Sequence, residues 1–228
     1  MDDPLRAAAW VVATGNAGKL SEMRALLAGF APPLLGLADV AAVAFPPEGD
    51  DYEANALAKA RAVAAATGLP AVADDSGLEV DALGGAPGVR SARAGGPALD
   101  DAGRAGLLLR SLAGVADDRR AARFVCVVAL VTPSGDATVA RGVCEGRILG
   151  APRGEGGFGY DPVFAPEGRT ASMAQLSPAE KNAISHRGRA VAALRAALQA
   201  AAHAGAAPEA CPDAGAAQRG RAPTAAGR

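Results

Sequence analysis

The sequence RFVCVVALVT, residues 123–132, is the clearest buried β-strand in the chain. A continuous apolar run of this length, bounded by turn residues, is typical of a strand inside a sheet. The turn PSGD follows at 133–136, and residues 137–149 are predicted to return as the antiparallel partner. One antiparallel hairpin is therefore expected in the fold.

Upstream of this hairpin, apolar strands alternate with helical patterns. A strand over 7–14 precedes a helix over 19–27, whose apolar residues recur at helical spacing. A short strand near 34–37 comes next, then an Ala-rich helix over 52–67 and a short strand over 71–73. Alternating strands and helices together with one hairpin predict an α/β domain with a mixed sheet.

The rest of the chain, on both sides of the hairpin, is predicted to be helical and then irregular. Residues 99–112 form a helix candidate, and Ser177 with Glu180 has the capping-box spacing. A last helix is expected beyond Gly188. From about residue 203 the chain is rich in Ala, Gly, Pro and Arg without periodicity. We therefore predict one domain over 1–203 and a disordered tail over 204–228.

The composition argues against several classes of protein. Lys and Arg number 23 against 24 Asp and Glu, so the basic footprint of a nucleic-acid-binding protein is missing. No polybasic anchor, signal peptide or membrane-spanning apolar run is evident, which favours a soluble cytoplasmic protein without membrane partners. Three widely spaced cysteines (Cys126, Cys144, Cys211) and two histidines (His186, His203) are a poor basis for a zinc site or a disulfide framework.

The first candidate for a functional site is TGNAGK at 14–19, where a strand gives way to a helix. Backbone N–H groups at a helix start favour an anion, and glycines let a phosphate approach the main chain. Lys19 would add a cation. The segment is not a Walker A loop, because its glycine spacing is too short and Leu20 replaces the usual Ser or Thr. An ordinary strand–helix turn with a surface lysine is the alternative.

The second candidate is DDSG at 74–77, directly after a short strand. In a strand-like backbone the carboxylates of Asp74 and Asp75 point to opposite sides. One of them could bind a hard cation such as Mg²⁺ or orient a water while the other braces the turn. A solvated acidic turn is the alternative, but the nearby glycine-rich loop and the cations Arg90 and Arg93 favour a phosphate site.

The third candidate is GEGGFGYDP at 154–162. It formally matches G-x-G-x-x-G, but Pro162 bars the helix that a dinucleotide site requires. Phe158 could instead be a stacking surface for a base, with glycines clearing space around it. Packing in the core is the alternative role for this ring.

The fourth candidate is Lys181 together with the segment SHRG at 185–188. Lys181 is predicted to lie in a first helical turn, and His186 and Arg187 close to a break at Gly188. An ordinary helix surface with cations is the alternative. None of the four candidates decides the function alone.

Taken together and in order, five segments resemble the inosine-triphosphate pyrophosphatase family over residues 10–198. They are TGNAGK at 14–19, NALAKA at 55–60, ADDSGLEVDALGGAPGVRSAR at 73–93, GFGYDPVF at 157–164 and EKNAISHRG at 180–188. The long central block and the FGYDP block are specific. The resemblance implies an elongated mixed sheet flanked by helices, in two lobes with the active cleft between them, and a homodimer.

The resemblance also implies an activity and a set of site residues. ITP, dITP and XTP, the substrates, would be cleaved between the α and β phosphates to a nucleoside monophosphate and pyrophosphate, which cleanses the nucleotide pool. Asp75 matches the catalytic proton acceptor and Mg²⁺ ligand. The implied substrate-binding residues are Thr14, Gly15, Asn16, Ala17, Gly18, Lys19, Ser76, Phe158, Gly159, Tyr160, Asp161, Lys181, His186 and Arg187.

Hydrogen bonding gives these roles a physical basis. Inosine and xanthosine carry a 6-keto acceptor where adenine carries a 6-amino donor. Donors such as Lys181, His186 or Arg187 would pair with the keto group and leave adenine unmatched, which can discriminate by about 10⁴-fold.

One departure from the family pattern concerns the metal site. Many members have Glu immediately before the Asn of the helix motif, where this chain has Ala54, with Glu53 one residue earlier. On a helix this shift rotates the carboxylate by ~100°, which puts Glu53 in doubt as a metal ligand. Three alternatives stay open: a pyrophosphatase for other modified nucleotides such as pyrimidines, a nucleotide-binding regulator without catalysis, and a structural α/β domain.

Overall fold

The computed structural model describes residues 3–205 as one mixed sheet flanked by helices. The strands are β1 (Trp10–Val12), β2 (Leu34–Leu35), β3 (Ala71–Val80), β4 (Pro87–Gly88), β5 (Ala121–Val131), β6 (Ala137–Ile148) and β7 (Phe164–Pro166). The α-helices are α1 (Ala17–Leu27), α2 (Tyr52–Thr67), α3 (Asp101–Ser111), α4 (Pro178–Ile184) and α5 (His186–Gly205).

The sheet combines parallel and antiparallel pairs. Its strand order is β2-β1-β3-β5-β6-β7. The short strand β4 pairs with β3 and is not part of this order. β1 is parallel to β2 and to β3, while β3, β5, β6 and β7 form successive antiparallel pairs. The predicted hairpin is β5–β6, and the predicted α/β class with a mixed sheet is confirmed.

Local sequence signals explain where the helices begin and end. The Asp51 side chain caps α2 by accepting a hydrogen bond from Ala54 N at 2.7 Å, and Gly68 ends the helix in the left-handed conformation at φ 66°. The predicted capping box of Ser177 and Glu180 starts α4, with Pro178 at the first helical position.

The core is divided into three clusters along the sheet. Successive residues of β5 alternate between faces, so one cluster packs α1 and α5 on one side and a second packs α2 on the other. A third cluster, which includes Leu78, Phe124 and Phe164, fills the opposite end of β3 and β5 together with α3. Residues 75–77 of β3 lie between these two ends, where a cleft opens.

Two local predictions were wrong. Residues 74–77 do not form a turn, because β5 pairs with β3 without interruption from Ala71 to Val80. Gly188 does not break the last helix but lies in the first turn of α5. The chain bends three residues earlier, at Ser185, where ψ is 158°.

The predicted domain boundary after residue 203 falls inside α5, which continues to Gly205. The rest of the predicted tail, 206–228, lies outside the described residues. Within the described chain, no helix combines the length and apolarity needed to cross a membrane.

Candidate active site

An open cleft of about 380 Å³ lies beyond the end of β1 and beside the middle of β3. Most of the site residues predicted from the sequence line it, although they come from five separate segments. They are Thr14, Gly15, Asn16, Lys19, Asp75, Ser76, Phe158, Gly159, Tyr160, Asp161, Lys181, His186 and Arg187. Ala17, Gly18 and Glu53 lie outside the lining.

The start of α1 forms one end of the cleft. Asn16 caps the helix by accepting a hydrogen bond from Lys19 N at 3.0 Å. The N–H groups of Ala17 and Gly18 lie in the first helical turn, where no intrahelical acceptor is available. Free amides at a helix start, next to the Lys19 ammonium, suit a phosphate group.

Asp74 faces the side of β3 that packs against α1 and α5. Its Oδ2 lies 2.8 Å from Arg187 Nη2 and 3.1 Å from Lys19 Nζ. Burial raises the pKa of Asp74, but the Arg187 and Lys19 cations outweigh burial and hold that pKa well below its usual range. Arg187 Nη2 also donates to Ser76 Oγ at 3.1 Å. Asp74 therefore stays ionised and fixes two of the cleft cations.

Asp75 faces the opposite side of the strand, as the alternation of side chains requires. Its Oδ1 accepts a hydrogen bond from Lys59 Nζ at 2.9 Å, and its Oδ2 accepts one from Asn55 Nδ2 at 3.0 Å. Lys59 Nζ also donates to Glu48 Oε1 at 3.2 Å. Burial lowers the pKa of Lys59, but Asp75 and Glu48 raise it by more, so the ammonium stays charged.

The carboxylates of Asp75 and Glu48 are the groups that could hold a metal ion. Both line the cleft and share one ammonium, so a divalent cation would meet two hard oxygen donors there. Mg²⁺ is typically held by one or two carboxylates together with substrate phosphates, so this donor set fits it. Glu53, the ligand considered from the sequence, is exposed in the first turn of α2.

The Phe158 ring packs against the start of α1 and lies close to Lys181. It packs so closely on Gly18 that a Cβ there would be 2.6 Å from Phe158 Cδ1. Lys181 Nζ lies 4.7 Å from the centroid of the ring. Asp161 fixes the turn by accepting a hydrogen bond from Phe158 N at 2.8 Å and by pairing with Lys181. An aromatic face is thus held next to the start of α1.

His186 is buried in the wall of the cleft and stacks on Phe124 with the ring centroids 4.7 Å apart. Burial and the nearby cations Arg187 and Lys181 lower the pKa of His186 well below its usual value. The imidazole is therefore neutral at pH 7. Among the described residues, its Nδ1 has no hydrogen-bond partner.

Sequence reasoning missed several residues of the cleft. The NALAKA motif contains two of them, Asn55 and Lys59, whose i,i+4 spacing puts both on one helix face. Glu48, Asp101 and Arg104 also line the cleft. Their local sequence carries no signal, because only the fold brings these segments together.

Fold and site define an α/β protein whose cleft combines the free amides of a helix start, two carboxylates that share one ammonium, and an aromatic ring. The chain belongs to the Ham1 family, whose family model matches residues 10–197.

Relatives support this membership over nearly the whole domain. A dITP/XTP pyrophosphatase of Nocardia farcinica is 56% identical over 192 residues, covering 82% of this chain and 93% of the relative. One of Mycobacterium tuberculosis H37Rv is 55% identical over 193 residues, covering 83% and 94%.

Two solved structures have the same fold. A HAM1 protein from Coxiella burnetii superimposes with a TM-score of 0.74 at 41% identity, covering 84% of this chain and 98% of that one. A nucleoside-triphosphatase / dITP/XTP pyrophosphatase from Mycobacterium abscessus gives 0.66 at 49% identity, covering 82% and 98%.

Proposed function

We propose that this chain is a Mg²⁺-dependent nucleoside-triphosphate pyrophosphatase that hydrolyses ITP, dITP and XTP to the monophosphate and pyrophosphate. The observation that carries the proposal is that Asp75, the start of α1 and the Phe158 ring line one cleft. A nucleotide needs all three features: a base platform, a reacting centre and a polyphosphate site. The two relatives described above, both dITP/XTP pyrophosphatases, agree with this substrate class.

The phosphates would bind at the start of α1 and to Lys19. Asp75 would then orient a water and accept its proton as the water attacks the α phosphate, releasing pyrophosphate. Mg²⁺ bound by Asp75 and Glu48 would neutralise charge on the phosphate oxygens. Lys59 already bridges these two carboxylates and would keep them close together during turnover.

The base would stack on Phe158 with its 6-keto group toward Lys181 and His186. Lys181 forms ion pairs with Glu22 and Asp161, and two acceptors leave one of its three N–H groups for a ligand. A neutral His186 can donate from Nδ1 if its proton lies there, and this atom has no partner among the described residues. Adenine, with a donor at C6, would leave these donors unmatched.

The test is product analysis after incubation with ITP, XTP, dITP, ATP and a modified pyrimidine triphosphate, with and without Mg²⁺. We expect Mg²⁺-dependent formation of the monophosphate and pyrophosphate from the first three and little turnover of ATP. A diphosphate product would contradict the cleaved bond, and preference for the pyrimidine would favour the alternative substrate. Binding of ITP without any cleavage would favour the regulator. The homodimer and a cytoplasmic location stay predictions.

A further inference from the structure

Arg104 is a cleft cation to which the mechanism above gives no role. It lies on α3 and lines the cleft, with its side chain only 16% exposed. Its Nη1 donates to Asp101 Oδ1 at 3.3 Å, and Asp101 Oδ2 accepts a hydrogen bond from Gly159 N at 2.7 Å. Arg104 therefore lies against the turn that carries Phe158, at the base end of the cleft.

One nitrogen of the guanidinium is not satisfied by the protein around it. Among the described residues, Arg104 Nε is buried and has no hydrogen-bond partner. Within residues 3–205, only His186 shares this combination of a cleft-lining side chain and an unpartnered buried nitrogen. A buried donor without an acceptor costs free energy, which a bound ligand with an acceptor would recover.

A purely structural role does not account for this arrangement. The acid partner Asp101 has a side chain that is 54% exposed, and exposed i,i+3 ion pairs contribute little to stability. Burial raises the pKa of the neighbouring Tyr160 to about 12, and Arg104 acts against that rise. The Arg104 cation is thus close enough to influence the turn that carries Phe158 and Tyr160.

We propose that Arg104 recognises the substituent at C2 of the purine and makes xanthosine triphosphate the preferred substrate. This inference rests on the proposed function. Asp101 ties Arg104 to Gly159, and Asp161 ties Lys181 to the same turn, so the two cations flank one base site. A base on Phe158 with its 6-keto group toward Lys181 presents C2 on the same edge. Xanthine carries a keto acceptor there, hypoxanthine a hydrogen and guanine an amino donor.

The test compares kcat/KM for XTP, ITP and GTP in the wild type, in Arg104→Gln and in Arg110→Gln. Arg110 is an exposed arginine on the same helix, outside the cleft lining, and is the matched control. In Arg104→Gln we expect the XTP-to-ITP ratio to fall about tenfold or more, because a charged hydrogen bond is lost. The GTP-to-ITP ratio of kcat/KM should rise, because the variant no longer places a guanidinium donor against the 2-amino donor of guanine. The control should leave both ratios unchanged.

Equal losses of kcat/KM with XTP and ITP would leave their ratio unchanged. This outcome would overturn the proposal in favour of a structural arginine. Arg104→Lys keeps the charge and should retain part of the XTP preference, which guards against a folding defect in the Gln variant. Calorimetric measurement of the binding of xanthosine and inosine monophosphates tests base recognition by Arg104 separately from the proposed hydrolysis. An Arg104-dependent preference for the xanthosine ligand would support this proposal even if hydrolysis were absent and the proposed function failed.

Discussion

Lys59 Nζ lies 2.9 Å from Asp75 Oδ1 and 3.2 Å from Glu48 Oε1, so one buried ammonium bridges the two acids of the candidate metal site. Without a cation these carboxylates would repel each other in a poorly hydrated wall of the cleft. Lys59 thus compensates the charge of the acidic pair when no metal is bound. The arrangement links the stability of the protein to occupancy of the site.

We expect Lys59→Met to lower the free energy of unfolding by about 3 kcal/mol in chelator, because it leaves the buried carboxylate of Asp75 without its cation. Mg²⁺ should then stabilise the variant more than it stabilises the wild type. Urea unfolding with and without Mg²⁺ measures both quantities.

Arg61→Met is the matched control, since Arg61 is exposed on the same helix and outside the cleft lining. It should unfold like the wild type under both conditions. Equal stabilisation of all three proteins by Mg²⁺ would refute the link between Lys59 and the metal site.

Substitution of the two adjacent aspartates should separate catalysis from stability. We expect Asp75→Asn to abolish turnover while the fold stays intact, because Lys59 keeps Glu48 as a partner and the amide can still accept a hydrogen bond. Asp74→Asn should instead lower the free energy of unfolding by about 3 kcal/mol, since it weakens the buried pair with Arg187.

Pyrophosphate release and urea unfolding, measured on both variants, test this division. Retained turnover in Asp75→Asn would eliminate it as the general base. An Asp74→Asn protein as stable as the wild type would show that the pair with Arg187 does not hold this wall together.

The same two aspartates show which features of the site can be predicted from the sequence and which cannot. Their orientation to opposite sides follows from strand geometry alone, but the sequence placed them in a turn, whereas both are buried in β3. Two adjacent carboxylates favour solvent unless cations neutralise them. Those cations, Arg187 and Lys59, come from α5 and α2, and only the assembled sheet brings them to β3.

The elements themselves were more accessible to sequence reasoning than their contacts. The helix over 52–67 and the β5–β6 hairpin follow from local composition, and the structure has them within a residue or two. The role of Arg104 could not be inferred in the same way. Its approach to Gly159 joins segments 55 residues apart in the chain, and no periodicity records such a contact.

The neutral His186 should make stability depend on pH. The pKa of this buried ring is lowered in the folded protein, so below about pH 6.5 the unfolded chain binds a proton that the folded chain does not. Stability is therefore expected to fall as the pH drops below 6.5, by up to about 1.4 kcal/mol for each pH unit. Urea unfolding at pH 7, 6 and 5 measures this slope.

His186→Gln should remove this contribution, so the comparison is the difference in slope between the two proteins. Because the sequence holds one other histidine, a His203→Gln background also lets NMR follow His186 alone. An imidazole that titrates near its usual pKa, or identical slopes in both proteins, would contradict the assignment.

The position of α5 depends on a close backbone approach at Gly142 of β6. A Cβ at this residue would lie 2.2 Å from His186 O and 2.4 Å from Ala190 N, and neither backbone atom can move without the helix. We expect Gly142→Ala to lower the free energy of unfolding by about 3 kcal/mol. Because α5 begins at His186 and Arg187, the displaced helix should also lower kcat/KM for ITP.

Gly150→Ala is the matched control, since a Cβ there meets no atom within 4 Å. It should keep both the unfolding midpoint in urea and the ITP kinetics of the wild type. If Gly142→Ala were as stable and as active as this control, the sheet would have to yield rather than the helix. The contact between β6 and α5 would then not be what positions His186 and Arg187 in the cleft.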